Sequence, residues 1–232
     1  MDKKVVFITG ASRGIGVATA RKFADGGWRV AGFYRNSAGP EIENVKYYQL
    51  DVSDWESVNV AFDKAYGELG RVDCLVNNAG VLVDKRLQGY EVEDMEKVMR
   101  TNELGVYLCT KKVLDKMEEG AIVNLCSTAA QAGSMDPIYA GTKGAVWSFT
   151  KSMAMALAPR VRVNCVAPGL VNTDMGNKGW GPGELEQRVK AIPMGRMAEP
   201  KEVASGIYFL ASDEAGHITG ATLDINGGYV LR

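Results

Sequence analysis

Seven short runs rich in Val, Ile and Leu punctuate this chain, at positions 4–9, 29–34, 45–50, 74–77, 121–126, 162–166 and 222–225. None alternates cleanly between apolar and polar residues, so the strands they predict are buried on both faces. Between them lie segments with helical periodicity, which predict helices over 15–25, 55–69, 92–116, 139–157 and 200–211. A strand that returns parallel to its neighbour needs a crossover, usually a helix, and the crossovers cover the sheet. The expected fold is α/β, a doubly wound parallel sheet with helices on both faces. At 232 residues and 46% hydrophobic content, one domain over 1–232 is expected.

Two connections depart from this rhythm. Positions 36–44 contain Gly39 and Pro40 and are too short for a full crossover helix, which predicts a loop or a single helical turn. Positions 172–199 place Gly176, Gly179, Gly181 and Gly183 around Trp180 and Pro182, followed by a short helical piece at 184–191. A long irregular stretch of this kind is expected to be a substrate loop that closes as a lid.

Composition removes several function classes. The formal net charge is −1 with no basic block, so neither nucleic acid nor an anionic membrane is an expected partner. No apolar run approaches the ~18 residues of a membrane span, and the apolar part of the start is too short for a signal peptide. A cytoplasmic location is therefore expected. Cys74, Cys109, Cys126 and Cys165 form no C-x-x-C and are expected to be buried, reduced thiols. His217 is the sole histidine, which argues against a hydrolase with a histidine base and against a histidine-rich metal site. No metal is expected.

Thr9-Gly-Ala-Ser-Arg-Gly-Ile-Gly16 joins the first strand to the first helix. Glycines at 10, 14 and 16 let the backbone turn sharply and approach a pyrophosphate, and the helix N-terminus offers it free N–H groups. This points to a Rossmann-type dinucleotide site containing Gly10, Ser12, Arg13, Gly14, Ile15 and Gly16. In such folds an acid near the end of the second strand binds the ribose 2′-hydroxyl of NAD. Here Tyr34 and Arg35 stand there instead. Arg35 and Arg13 are suited to a 2′-phosphate through their forked donors, so NADP(H) is favoured over NAD(H).

Tyr139 and Lys143 are four apart on a predicted helix and share one face. A phenol titrates near ~10, and a cation beside it is expected to lower that value. The pair suggests a general acid–base for a carbonyl or alcohol oxygen.

Several motifs occur together in a fixed order: Thr9–Gly16, Asp51-Val52, Asn77-Asn78-Ala79-Gly80, Asn102, Ser127, Tyr139, Lys143, Pro168-Gly169, Thr173 and Asp224-Ile-Asn-Gly-Gly228. With them the chain resembles the short-chain dehydrogenase/reductase family over nearly its full length, and most of all its 3-oxoacyl-carrier-protein reductase group. The resemblance implies a hydride-transferring oxidoreductase with Asn102, Ser127, Tyr139 and Lys143 as catalytic residues. It places Asp51 and Val52 at the adenine and Asn78, Ala79 and Gly80 along the adenosine ribose. It puts Pro168, Gly169, Val171 and Thr173 at the nicotinamide. It also implies that Asn102 bends its helix and holds a water in a relay with Lys143, that Ser127 orients the substrate oxygen, and that the chain forms a dimer or homotetramer.

Some features set the chain apart from that group. Tyr139 follows Ser127 by 12 positions, one fewer than the resemblance leads one to expect, which implies a tighter loop at 128–138. Lys116-Met-Glu-Glu-Gly120 is acidic where docking of an acyl-carrier protein calls for positive charge, with Arg160 and Arg162 as partial compensation. An acyl-carrier protein is thus a possible but doubtful partner. A sugar or polyol dehydrogenase of the same family is the alternative, and a non-catalytic dinucleotide-binding regulator a third reading. Gln131, Met135, Ile138, Met175, Trp180 and Met194 are the expected substrate walls, a partly apolar pocket with Asp136 near the tyrosine.

Overall fold

The structure is a computed structural model and describes residues 3–231. Seven parallel strands form one sheet: β1 (Val5–Thr9), β2 (Arg29–Tyr34), β3 (Val45–Gln49), β4 (Cys74–Asn77), β5 (Gly120–Leu125), β6 (Val161–Pro168) and β7 (Thr222–Ile225). Their spatial order is β3-β2-β1-β4-β5-β6-β7. The order reverses between β1 and β4, and the crevice outside the carboxyl ends of strands at such a reversal is where ligands of this architecture bind.

The pleat divides the core into two layers. Val5, Phe7, Phe33, Leu75 and Ile122 face α2 (Trp55–Leu69), α4 (Gly105–Val113) and α6 (Pro137–Leu157). Val6, Ile8, Val30, Val76 and Val123 face α1 (Gly14–Asp25) and α8 (Pro200–Ala211). Adjacent residues go to opposite faces because strand side chains have a period of two. This is the doubly wound Rossmann-type arrangement expected from the continuous apolar runs.

Helix ends follow local chemistry. Asp54 caps α2 by accepting from Ser57 N, and Gly70 ends it in the left-handed conformation. Glu199 and Glu202 form a capping box at α8, with Pro200 in its first turn. The loop at 35–44 contains no helix. Ile42, 9% exposed, packs into the layer that a crossover helix would otherwise cover.

The predicted single helix at 92–116 is interrupted. It consists of α3 (Val92–Met99), a π-helical turn at Arg100–Leu104 and α4. The cause is Asn102, whose side chain bonds to the backbone of Val81 on the neighbouring loop, so the helix widens by one residue there. A four-residue helix, α5 (Ala129–Ala132), follows β5 where a loop was expected, and α7 (Glu184–Lys190) is the short helix of the 172–199 segment.

Candidate active site

The carboxyl ends of β1, β2, β4, β5 and β6 open into one cleft of about 1300 Å³. At one end lies the glycine turn. Gly10 and Gly14 have φ of 65° and 53°, the left-handed region that favours glycine. A Cβ on Gly16 would stand 2.0 Å from the Gly10 carbonyl oxygen, so no side chain fits there. Asn78 stitches the turn to β4. Its Nδ2 donates to the carbonyls of Thr9 and Gly10, each at 2.9 Å, and its N–H donates to Thr9 Oγ1 at 3.0 Å. No side chain caps the first turn of α1, which also holds no acid. A bare helix N-terminus beside a glycine cradle fits a pyrophosphate.

Arg35 Nη2 lies 3.0 Å from Asp51 Oδ2 in the same cleft. Burial pushes the Asp51 carboxyl up. Hydrogen bonds from the Ser53 hydroxyl and N–H, with the guanidinium groups of Arg35 and Arg100, outweigh it and hold the pKa below the usual range. Arg35 is therefore engaged by Asp51, a partner that the sequence reasoning did not foresee for it.

At the other end Ser127 follows β5, while Tyr139 and Lys143 project from α6. The Lys143 ammonium is 5% exposed and donates to the Leu125 carbonyl at 2.8 Å. It sits 5.7 Å from the centroid of the Tyr139 ring. The expected depression of the tyrosine pKa is absent. Burial pushes Tyr139 up to about 12, the Ser127 hydroxyl pulls it back, and Cys126 and Asp136 add to the rise. Lys143 in turn is lowered to about 8 by burial. The lysine points at a carbonyl rather than at the phenol, so desolvation decides both shifts.

Asn102 is fully buried and does not line the cleft. Its Oδ1 accepts from Val81 N and its Nδ2 donates to Val81 O, both at 2.8 Å, which holds the loop after β4 against the π turn. Gly80 lies between it and the lysine. A Cβ there would be 3.4 Å from Asn102 Oδ1 and 3.9 Å from Lys143 Nζ. The other predicted site residues all line the cleft: Gly10, Ser12, Arg13, Gly14, Ile15, Gly16, Tyr34, Arg35, Asp51, Val52, Asn78, Ala79, Gly80, Ser127, Tyr139, Lys143, Pro168, Gly169, Val171 and Thr173.

Of the expected substrate walls, Met135, Met175 and Trp180 line the cleft, but Gln131, Ile138 and Met194 do not. Gln131 turns away to donate to Asp224 Oδ1 at 2.7 Å, and Met194 is 66% exposed. Arg162 is not free to meet an acidic partner, because its guanidinium donates to the carbonyls of Leu210, Ser212 and Ile218. The structure adds residues that the sequence did not single out. Asp84 and Arg188 line the cleft. Asp136, which the sequence places near Tyr139, is 1% exposed and caps α6 three residues before it. The Asp84 carboxyl is raised by partial desolvation and by the charges of Asp136 and Glu184, with Arg188 opposing.

Among the described residues, no His, Cys, Asp and Glu cluster could hold a metal ion, and no helix is long and apolar enough to cross a membrane. Cys74, Cys109, Cys126 and Cys165 are buried and form no disulfide among the described residues.

Residues 10–230 match the family model described as enoyl-(acyl carrier protein) reductase. The chain belongs to the short-chain dehydrogenase/reductase family. It is 38% identical to the 3-oxoacyl-(acyl-carrier-protein) reductase FabG of Vibrio cholerae, over 100% of this chain and 99% of that one. It is 36% identical to the D-threitol dehydrogenase of Mycolicibacterium smegmatis, over 100% and 95%. The crystal structure of the 3-ketoacyl-(acyl-carrier-protein) reductase of Brucella melitensis complexed with NADH superposes with a TM-score of 0.92, at 33% identity and 98% coverage of each chain. This short-chain dehydrogenase/reductase is an NAD(P)-dependent oxidoreductase.

Proposed function

We propose that the whole chain acts as one catalytic domain, a cytoplasmic NADP(H)-preferring reductase of ketones with a 3-oxoacyl-reductase-like site. The observation that carries the reading is the grouping of Ser127, Tyr139 and Lys143 in the same cleft as a glycine cradle and an uncapped helix N-terminus. Gly10, Gly14, Gly16, Asn78 and the first turn of α1 hold the dinucleotide, and its nicotinamide supplies a hydride equivalent for a carbonyl carbon. Pro168, Gly169, Val171 and Thr173 form the nicotinamide wall. Asp51 and Val52 flank the adenine.

Ser127 donates to the carbonyl oxygen and fixes its direction, as a donor placed where negative charge develops. Tyr139 gives its phenolic proton to the same oxygen, so the ketone gains a hydride at carbon and a proton at oxygen. Burial raises its pKa, so the phenol carries that proton at neutral pH until the substrate oxygen takes it. Lys143, ionised below about 8, offsets the charge left on the tyrosine and reaches the nicotinamide ribose. Asn102 sets the π turn beside Gly80 and completes the proton path through a water.

Arg35 and Arg13 support the choice of NADP(H). Both line the cleft and their forked donors suit a ribose 2′-phosphate, and Tyr34 leaves the acid of NAD-specific sites unfilled. A 2′-phosphate would compete with Asp51 for Arg35. Exposed Val92, Met99 and Met155, on α3 and α6, support a homo-oligomer built on these helices. The acidic stretch Lys116–Gly120 and the engaged Arg162 argue against an acyl-carrier protein as partner. NADPH oxidation by the purified protein across ketoesters, diketones and hydroxyketones tests the reading, with Tyr139→Phe as the control. Equal rates for parent and variant would refute it. One observation favours the second reading, a sugar or polyol as substrate: a carboxylate, Asp84, lines the cleft.

A further inference from the structure

We propose that Asp136 is a positioning residue for the reaction. Its carboxylate, fastened by Tyr90, holds the helical turn that carries Tyr139 against the loop after β4, and so sets where the phenol meets the substrate oxygen. This rests on the reading above of Tyr139 as the proton donor and deepens it.

Asp136 is 1% exposed, and its carboxylate accepts from three places in the chain. Oδ1 accepts from Tyr139 N at 2.9 Å. Oδ2 accepts from Asp84 N at 3.0 Å and from the Tyr90 hydroxyl at 2.6 Å. The N–H of Asp136 donates to Ser134 Oγ at 3.2 Å, which steadies its own backbone. Helix capping needs only the first of these bonds. Asp54 shows that simpler case at α2, where an exposed side chain accepts from Ser57 N at 3.0 Å. Burying a carboxylate costs free energy that a surface cap does not incur. Capping alone therefore does not account for Asp136.

The second oxygen reaches the other wall of the cleft. Val81, Leu82 and Asp84 line it together with Tyr139. Asn102 holds Val81 at both its N–H and its carbonyl, each at 2.8 Å. Asp136 holds Asp84, three residues on. Asp84 has φ 60°, a left-handed conformation that costs free energy outside glycine and persists where surrounding bonds hold it. Tyr90, 8% exposed, follows the 3-10 turn at Leu87–Gly89 and is the one side-chain donor of the three. Loop and helix thus meet on a single carboxylate. Proton transfer depends steeply on the distance between donor and acceptor, and a misplacement of about 1 Å costs about 10²-fold in rate.

The test uses the purified full chain with ethyl acetoacetate and NADPH, assayed well below Tm, as parent, Asp136→Asn, Tyr90→Phe and the double variant. Asparagine keeps an oxygen for Tyr139 N, so the cap survives, but its amide nitrogen cannot accept from Asp84 N. Asp136→Asn should lower kcat by about 10- to 100-fold with NADPH affinity unchanged. The solvent deuterium isotope effect on kcat should rise, because proton transfer from a misplaced phenol becomes the slow step. Tyr90→Phe should show the same changes to a smaller degree. The double variant should fall no further than Asp136→Asn, since both changes break one link. Parent-like kcat in Asp136→Asn, single losses that multiply in the double variant, or a lower kcat with an unchanged isotope effect overturns the proposal and leaves the reductase reading standing. If Asp136→Asn does not fold, Tyr90→Phe decides: kcat and isotope effect equal to the parent's overturn the proposal, and a lower kcat with a larger isotope effect supports it. Tyr139→Phe at the rate of the parent overturns the reductase reading, and the role of Asp136 with it.

Discussion

Lys143→Met should make the ligand-free protein more stable while removing its activity. Burial lowers Lys143 from the ordinary 10.5 to about 8. At about 1.4 kcal/mol for each tenfold change in proton affinity, that amounts to roughly 3 kcal/mol of disfavoured charge in the folded state at neutral pH. Methionine has similar length and no charge to desolvate. It forfeits the charge-assisted hydrogen bond to Leu125 O, which with the carbonyl left unpaired costs about 1.5–3 kcal/mol. The net gain is about 0–1.5 kcal/mol, or up to about 6 °C in Tm for a chain of this size. The pH dependence carries a definite sign. Below about 8 both folded and unfolded lysines are protonated and the full penalty applies. Between about 8 and 10.5 the unfolded chain binds more protons, so the stability of the parent rises with pH. The gap between variant and parent should be widest near pH 7 and gone by about pH 10. Reversible urea unfolding of the ligand-free proteins, at one protein concentration and several pH values, measures it. A variant less stable at pH 7, or a gap that ignores pH, would refute the reasoning.

Tyr139→Phe should cut turnover by about 10²–10⁴, the usual contribution of a general acid, with NADPH affinity unchanged in a fluorescence titration. Reductive kcat should be level below pH 8 and fall above it, as Lys143 loses its charge near 8; a profile level to pH 10 would remove the lysine from the mechanism. Gly16→Ala pushes a Cβ to 2.0 Å from the Gly10 carbonyl, so NADPH affinity should drop at least about tenfold and Tm should fall with it. Tyr34→Asp with Arg35→Ala should move the ratio of kcat/KM from NADPH toward NADH, because the new carboxylate accepts from a ribose hydroxyl and repels a 2′-phosphate; a parent that already prefers NADH contradicts the assignment of Arg35.

The sheet was legible because its strands are buried on both faces and are written as unbroken apolar runs. The predicted bounds of β2, β4 and β7 coincide with those observed. The glycine turn was legible because steric need ties those residues to one backbone. Helix 92–116 was misjudged as continuous. Its periodicity holds throughout, and the break comes from Asn102 reaching Val81, 21 positions back, a contact that spacing along the helix does not encode. The sign of the Tyr139 shift was misjudged for a related reason. An i,i+4 spacing shows that two groups share a face, but not that the Leu125 carbonyl takes the ammonium or that burial outweighs charge. Tyr90 and Asp84 escaped notice, and Asp136 was legible only as a neighbour of Tyr139, because the bonds that join the three span 46 and 52 positions.

Chemistry and selectivity sit on different kinds of structure in this molecule. Ser127 lies two residues beyond the end of β5, and Tyr139 and Lys143 lie in the first two turns of α6, where backbone hydrogen bonds fix them. Asp84, Trp180 and Arg188 come from the loop after β4 and from the 172–199 segment, which exchange sequence more freely than a sheet does. Loops alone would leave the substrate poorly placed for proton transfer, since small misplacements cost much of the rate. Asp136 removes that freedom. It caps α6 and anchors Asp84 with the same carboxylate, and Tyr90 completes its bonding. A buried carboxylate is unfavourable unless fully bonded, and a tyrosine hydroxyl and two backbone N–H groups meet that need. Its charge also adds to the rise of the Tyr139 pKa, after burial and Cys126. The same side chain therefore ties the loop of Asp84 to the first turn of the helix that carries Tyr139.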